Sequence, residues 1–88
     1  MPYIVSFSEQ AKADIEFWRA NSQKALAKIE KLILDTMEHP ATGLGKPERL
    51  RHQLSGCWSR RINLTDRMVY SVDEENNVLT IYQLRYHY

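Results

Sequence analysis

The sequence predicts an α+β fold in which an N-terminal strand and a helical hairpin pack on a twisted, mostly antiparallel β-sheet. Three observations predict it. Apolar residues recur at helical spacing up to Pro40, the period drops to two after Glu48, and a connector rich in glycine and proline separates the two patterns. With 88 residues, 43% of them hydrophobic, the chain fits one domain over positions 1–88 around one modest core.

Tyr3 to Phe7 form an apolar, β-branched run that reads as a first strand, closed by Ser8, a good helix cap. Ala11, Ile15 and Trp18 then mark one face of a helix. Asn21 and Ser22 break that pattern and supply the next cap. Ala25, Ile29, Leu32, Ile33 and Thr36 carry a second helix that stops before Pro40, with Lys24, Lys28 and Lys31 on its solvent side. The joint is too short for anything but a hairpin. Pro40, Gly43, Gly45 and Pro47 make the next stretch a loop. Beyond it the alternation predicts strands near Arg49–Leu54, Cys57–Leu64, Arg67–Val72 and Val78–His87, turning at Ser55-Gly56, Thr65-Asp66 and Asp73–Asn77. In the last strand Leu79, Ile81, Gln83, Arg85 and His87 share a face that begins apolar and ends cationic. Antiparallel pairing would bring Arg67 beside that cationic end.

The single cysteine, Cys57, excludes an internal disulfide, and no zinc-ligand spacing is present. Cys57 lies between Gly56 and Trp58 with no base paired to it by motif, so it is expected to be a packed thiol. The start MPYIVSFSEQ has neither a basic leader nor an apolar stretch long enough for export or membrane insertion; the expected location is cytoplasmic. Net charge is +1, but five basic residues (Lys46, Arg49, Arg51, Arg60, Arg61) face one acid, Glu48, between positions 46 and 61. A basic centre in a net acidic remainder suits a polyanion held on one face. These five are the expected phosphate contacts. Arg60 and Arg61 point to opposite strand faces, so at most one lines a cleft directly.

The stretch GLGKPERLRHQLSGCWSRRI, followed by DRMVY and the terminal RYHY, closely resembles the YoeB branch of the RelE-like bacterial toxins. The resemblance runs from 43 to 88 almost without a gap and reaches more loosely into the helices, at Asp14, Trp18, Asp35 and Pro40 among others. It implies a RelE-like fold and an mRNA endonuclease that acts on translating 70S ribosomes, cutting within the A-site codon by attack of the 2′-oxygen with no metal and no cofactor. It further implies a cognate antitoxin of the YefM/Phd-like kind that wraps the toxin and displaces its C-terminal residues, and often a toxin homodimer. The implied catalytic residues are Glu48 of GKPE, Arg67 before MVY, and the terminal pair His87 and Tyr88. Two departures stand out: Asp66 occupies a place where family members often carry histidine, and Arg51 one where lysine is commoner.

The residue types suit that chemistry. Metal-free RNA cleavage needs a group to take the 2′-proton, a cation for the phosphorus centre as it gains charge, and an acid for the departing 5′-oxygen. A carboxylate, a guanidinium and an imidazole can supply these, and a tyrosine can stack on a base or hold the phosphate by its hydroxyl. A free glutamate titrates near ~4.3, below the working range of a good base. Glu48 is therefore either desolvated on the ribosome or an orienting group for the nucleophile. By residue type alone, Glu48 could equally pair with its basic neighbours, Arg67 with Asp66, and His87 could be an idle surface imidazole. Two other functions fit the same scaffold: a non-catalytic inhibitor resembling the gyrase-poisoning ParE-type relatives, and an RNA-binding regulator whose terminal residues only pack.

Overall fold

The computed structural model describes residues 3–86. The elements run β1 (Ile4–Phe7), α1 (Glu9–Asn21), α2 (Gln23–Glu38), β2 (Glu48–Arg49), a 3₁₀ turn (His52–Leu54), β3 (Trp58–Arg61), β4 (Arg67–Asp73) and β5 (Val78–Gln83). Both helix starts are capped as the sequence predicts. The Ser8 hydroxyl accepts the Ala11 N–H at 3.0 Å and the Ser22 hydroxyl that of Ala25 at 3.1 Å, each cap contributing about 1 kcal/mol.

The five strands form one sheet in the order β1-β5-β4-β3-β2. The three pairings from β2 to β5 are antiparallel, and β1 lies parallel to β5, with Ile4 opposite Val78 and Phe7 opposite Ile81. The helical hairpin covers one face. Ala11, Trp18, Ile29 and Leu32 pack there against Met68, Tyr70, Leu79, Ile81 and Leu84, all buried. Burial of each large aliphatic side chain contributes about 1.5–3 kcal/mol, so this one cluster carries most of the folding drive.

Three strands are shorter than alternation predicts, each for a local reason. Pairing of β2 ends after Leu50 donates to the Cys57 carbonyl at 2.9 Å, because His52 adopts a left-handed φ of 59° and opens the 3₁₀ turn. β3 stops at Arg61 because the Asn63 carboxamide gathers the Thr65 and Asp66 N–H groups at 2.9 and 2.7 Å, closing an Asx turn. β5 ends at Gln83 rather than His87. Within it, Val69 faces Gln83 while Tyr70 faces Ile81, leaving Tyr82 unmatched as a β-bulge. The bulge resets the alternation. Leu84, not Gln83, follows Ile81 into the core, and Arg85 stacks on the Phe17 ring of α1 at 3.4 Å instead of continuing the Leu79–Ile81 row.

Candidate active site

The face of the sheet away from the helices carries the residues of interest. In register, Glu48 is opposite Ser59, Ser59 opposite Val69, and Val69 opposite Gln83. Residues directly opposite in a ladder share a face, so Glu48 lies on the same side as Val69 and, two positions along β4, as Arg67. Strand spacing and rise put the Glu48 and Arg67 Cα atoms roughly 12 Å apart, within the combined reach of two long side chains around a phosphate. Arg61 is directly opposite Arg67, which adds a second guanidinium to that side. Two like charges facing each other in a ladder are unfavourable unless something negative lies between or beside them.

Local chemistry explains how each is held. Glu48 is exposed on a two-residue strand whose entry is set by the Gly45–Pro47 connector. Gly45 has φ 79°, and a Cβ there would stand 2.9 Å from Leu32 Cδ2 and 3.1 Å from the Arg61 carbonyl oxygen, so only glycine lets the connector lie this close to α2 and β3. Arg67 is 8% exposed, and its Nη1 donates to the carbonyls of Asn63 and Asp66 at 2.9 and 3.1 Å. No ion pair with the Asp66 carboxylate is formed.

The expected closeness of Arg67 to the end of the chain holds as far as Tyr86. The Arg67 N–H donates to the Tyr86 carbonyl at 3.1 Å, and the Tyr86 N–H donates to Asp66 Oδ1 at 2.7 Å. Two residues earlier Leu84 is fixed by α1: its N–H donates to the buried Asp14 carboxylate at 2.9 Å, and its carbonyl accepts the Trp18 indole N–H at 2.8 Å. Sequence reasoning had no signal for these anchors. His87 and Tyr88 lie outside the described residues.

The expected phosphate contacts divide. Arg61, Lys46, Arg51 and Arg49 are all exposed, Arg49 from the helix side of the sheet, where it lies over the Trp58 ring at 5.3 Å. Arg60 is the correction. It is fully buried, its Nη1 2.6 Å from Asp35 Oδ2 and 3.0 Å from the Leu44 carbonyl, its Nε 3.1 Å from the Tyr70 hydroxyl, and its Nη2 on the carbonyls of Thr42 (2.8 Å) and His39. Every N–H group of this guanidinium is taken by a protein acceptor, which leaves none free for a phosphate; it ties the connector to α2 and β4. The Leu44 N–H and the Arg60 guanidinium hold the Asp35 carboxyl below the usual aspartate range, against the opposing effect of burial.

A groove of about 660 Å³ beside this face is lined by Lys24, Lys28, Lys46 and Arg61 and carries no acid. Lys24 and Lys28 come from α2, so the basic surface is wider than the 46–61 stretch. A helix face and a distant strand end converge there, which linear charge counting does not register. Burial raises the Cys57 thiol above its ordinary value, which keeps it protonated and agrees with a packed role. Among the described residues no three His, Cys, Asp or Glu side chains gather as a metal site, and no helix is long and apolar enough to cross a membrane.

Comparison with known proteins places this arrangement. The Toxin YoeB of Escherichia coli (strain K12) is 44% identical over 82 residues, 93% of this chain and 95% of that protein. Two solved structures from Staphylococcus aureus, a YoeB dimer and a heterotetrameric YoeB–YefM toxin–antitoxin complex, are each 38% identical over 100% of both chains, with TM-scores of 0.90 and 0.87. Residues 7–88 match the family described as the YoeB-like toxin of bacterial type II toxin–antitoxin systems. With its two helices on a five-stranded mixed sheet and this family match across nearly its whole length, the chain belongs to the YoeB-like toxins of type II toxin–antitoxin systems.

Proposed function

We propose that this toxin is a ribosome-dependent endoribonuclease that cuts mRNA in the A site and so stops translation in the cytoplasm. The observation that supports the reading is the common sheet face shared by Glu48, Arg61 and Arg67, an acid and two forked cations on neighbouring strands. Glu48 takes the proton from the 2′-hydroxyl as its oxygen bonds to phosphorus. Arg67 and Arg61 offset the charge that grows on the non-bridging oxygens. The bond to the 5′-oxygen breaks, His87 donates a proton to that oxygen, and Tyr88 holds the phosphate or a stacked base; a 2′,3′-cyclic phosphate and a 5′-hydroxyl result. No cofactor is required by this scheme. An 88-residue protein has little surface for selecting RNA sequence alone, so the ribosome presents the substrate. The S. aureus structures support a YefM-like antitoxin and a homodimer as partners.

The direct test is expression in a translating extract with mapping of mRNA 5′ ends. Cuts within the A-site codon that carry 5′-hydroxyls are expected. Arrest of translation with intact mRNA would sink the nuclease reading and favour the non-catalytic inhibitor.

The basic groove makes a separate prediction. Lys24→Glu with Lys28→Glu is expected to weaken ribosome binding and to flatten the dependence of log K on log salt by about 0.7–0.9 for each phosphate that is no longer neutralised. Binding titrations from low to moderate salt check it; an unchanged slope excludes α2 from the RNA track.

A further inference from the structure

The turn at Asn63–Asp66 has a feature that the reaction scheme does not use. Asp66 is half-buried, and its carboxylate does not pair with the neighbouring Arg67 guanidinium but accepts the backbone N–H of Tyr86, 20 positions away, at 2.7 Å. The same Tyr86 returns its carbonyl to the Arg67 N–H at 3.1 Å, so this one residue is gripped at both ends by two consecutive residues. The turn itself is braced: Asn63 Oδ1 accepts the Asp66 N–H at 2.7 Å, and the Thr65 hydroxyl lies 3.2 Å from Asp66 Oδ2. Tyr86 is held with φ 66°, a left-handed conformation that a tyrosine adopts only where its surroundings impose it. Burial pushes the Asp66 carboxyl up, but the Tyr86 N–H, the Asn63 and Thr65 hydrogen bonds and the charge of Arg85 outweigh it and keep it below the usual range.

We propose that Asp66 is a positioning residue for catalysis, a clasp whose carboxylate oxygen fixes the backbone of Tyr86, the residue to which the proposed catalytic pair His87 and Tyr88 is joined. The proposal rests on the nuclease reading above. It gives the residue a task that a side chain merely neutralising Arg67 would not have, since the hydrogen bond needs an acceptor oxygen and not a charge. Asparagine keeps that oxygen; alanine does not.

Asp66→Ala and Asp66→Asn are compared with the parent protein in ribosome-dependent cleavage, alongside hydrogen exchange at the Tyr86 amide. Asp66→Ala is expected to lower kcat by about 10²-fold with KM little changed, because misplacing a reacting group by about 1 Å costs that much. Asp66→Asn is expected to restore most of kcat, and Tyr86 exchange to quicken in the alanine variant alone. Parent-like kcat in Asp66→Ala, or an asparagine variant as impaired as alanine, overturns the proposal. Tyr86 protection that is unchanged by Asp66→Ala overturns it whether or not the parent cleaves RNA, so failure of the clasp and failure of the nuclease reading are read separately.

Discussion

Glu48→Gln is expected to reduce mRNA cleavage on ribosomes by about 10²–10⁴-fold while leaving thermal stability within ~0.5 kcal/mol of the parent. The side chain is exposed on a two-residue strand, so the substitution removes a proton acceptor without opening a cavity. Ribosome binding should be retained, because the groove cations are untouched. Single-turnover cleavage at saturating protein separates the two effects: weaker affinity with an unchanged chemical step would remove Glu48 from the reaction. A double variant with Arg67→Lys is expected to be only slightly worse than the more impaired single one, since residues acting in one transition state are strongly non-additive.

Arg60→Met should give the largest loss of stability, about 3–5 kcal/mol, measured by urea unfolding. Methionine keeps much of the volume but leaves the Asp35 carboxylate and the carbonyls of His39, Thr42 and Leu44 without their shared donor. The double variant Asp35→Asn, Arg60→Met should recover part of the loss by removing the stranded charge. Acid sensitivity gives a second measurement. Asp35 has a folded-state pKa below its unfolded value, so its contribution is complete above the ordinary aspartate pKa of about 3.9 and is lost as pH falls through the folded value. Stability should therefore decline below about pH 4. In Arg60→Met that decline should be shallower but still present, because the Leu44 N–H continues to favour the charged carboxylate.

Arg60 also shows where sequence reading stops. That two adjacent arginines point to opposite faces follows from alternation. That the inward one meets Asp35 from α2, 25 positions away, does not. Local signals were legible: Ser8 and Ser22 as caps, the hairpin, the glycine-proline connector and the antiparallel turns. The parallel β1–β5 pair was not, because strands 74 positions apart leave no mark of their pairing in either segment. Nor was the Tyr82 bulge, which depends on how β5 meets β4 and alters which of Gln83 and Leu84 enters the core. For the site, the identities of Glu48 and Arg67 came from the GKPE and RMVY motifs. Their common face came from register, which needs the true strand ends. Lys24 and Lys28 were not foreseen as part of the basic surface because periodicity assigns them simply to solvent, without saying what lies across from them.

The β1–β5 ladder has a consequence for biosynthesis. β1 emerges first, yet its partner is not made until about 70 further residues have been added, roughly 4–14 s at ordinary elongation rates. Over that interval the nascent chain holds an unzipped edge, and the anchors on Leu84 and Tyr86 do not yet exist. Closure of the sheet in this toxin is thus postponed until β5 has been made, however early β1 and the helical hairpin take shape.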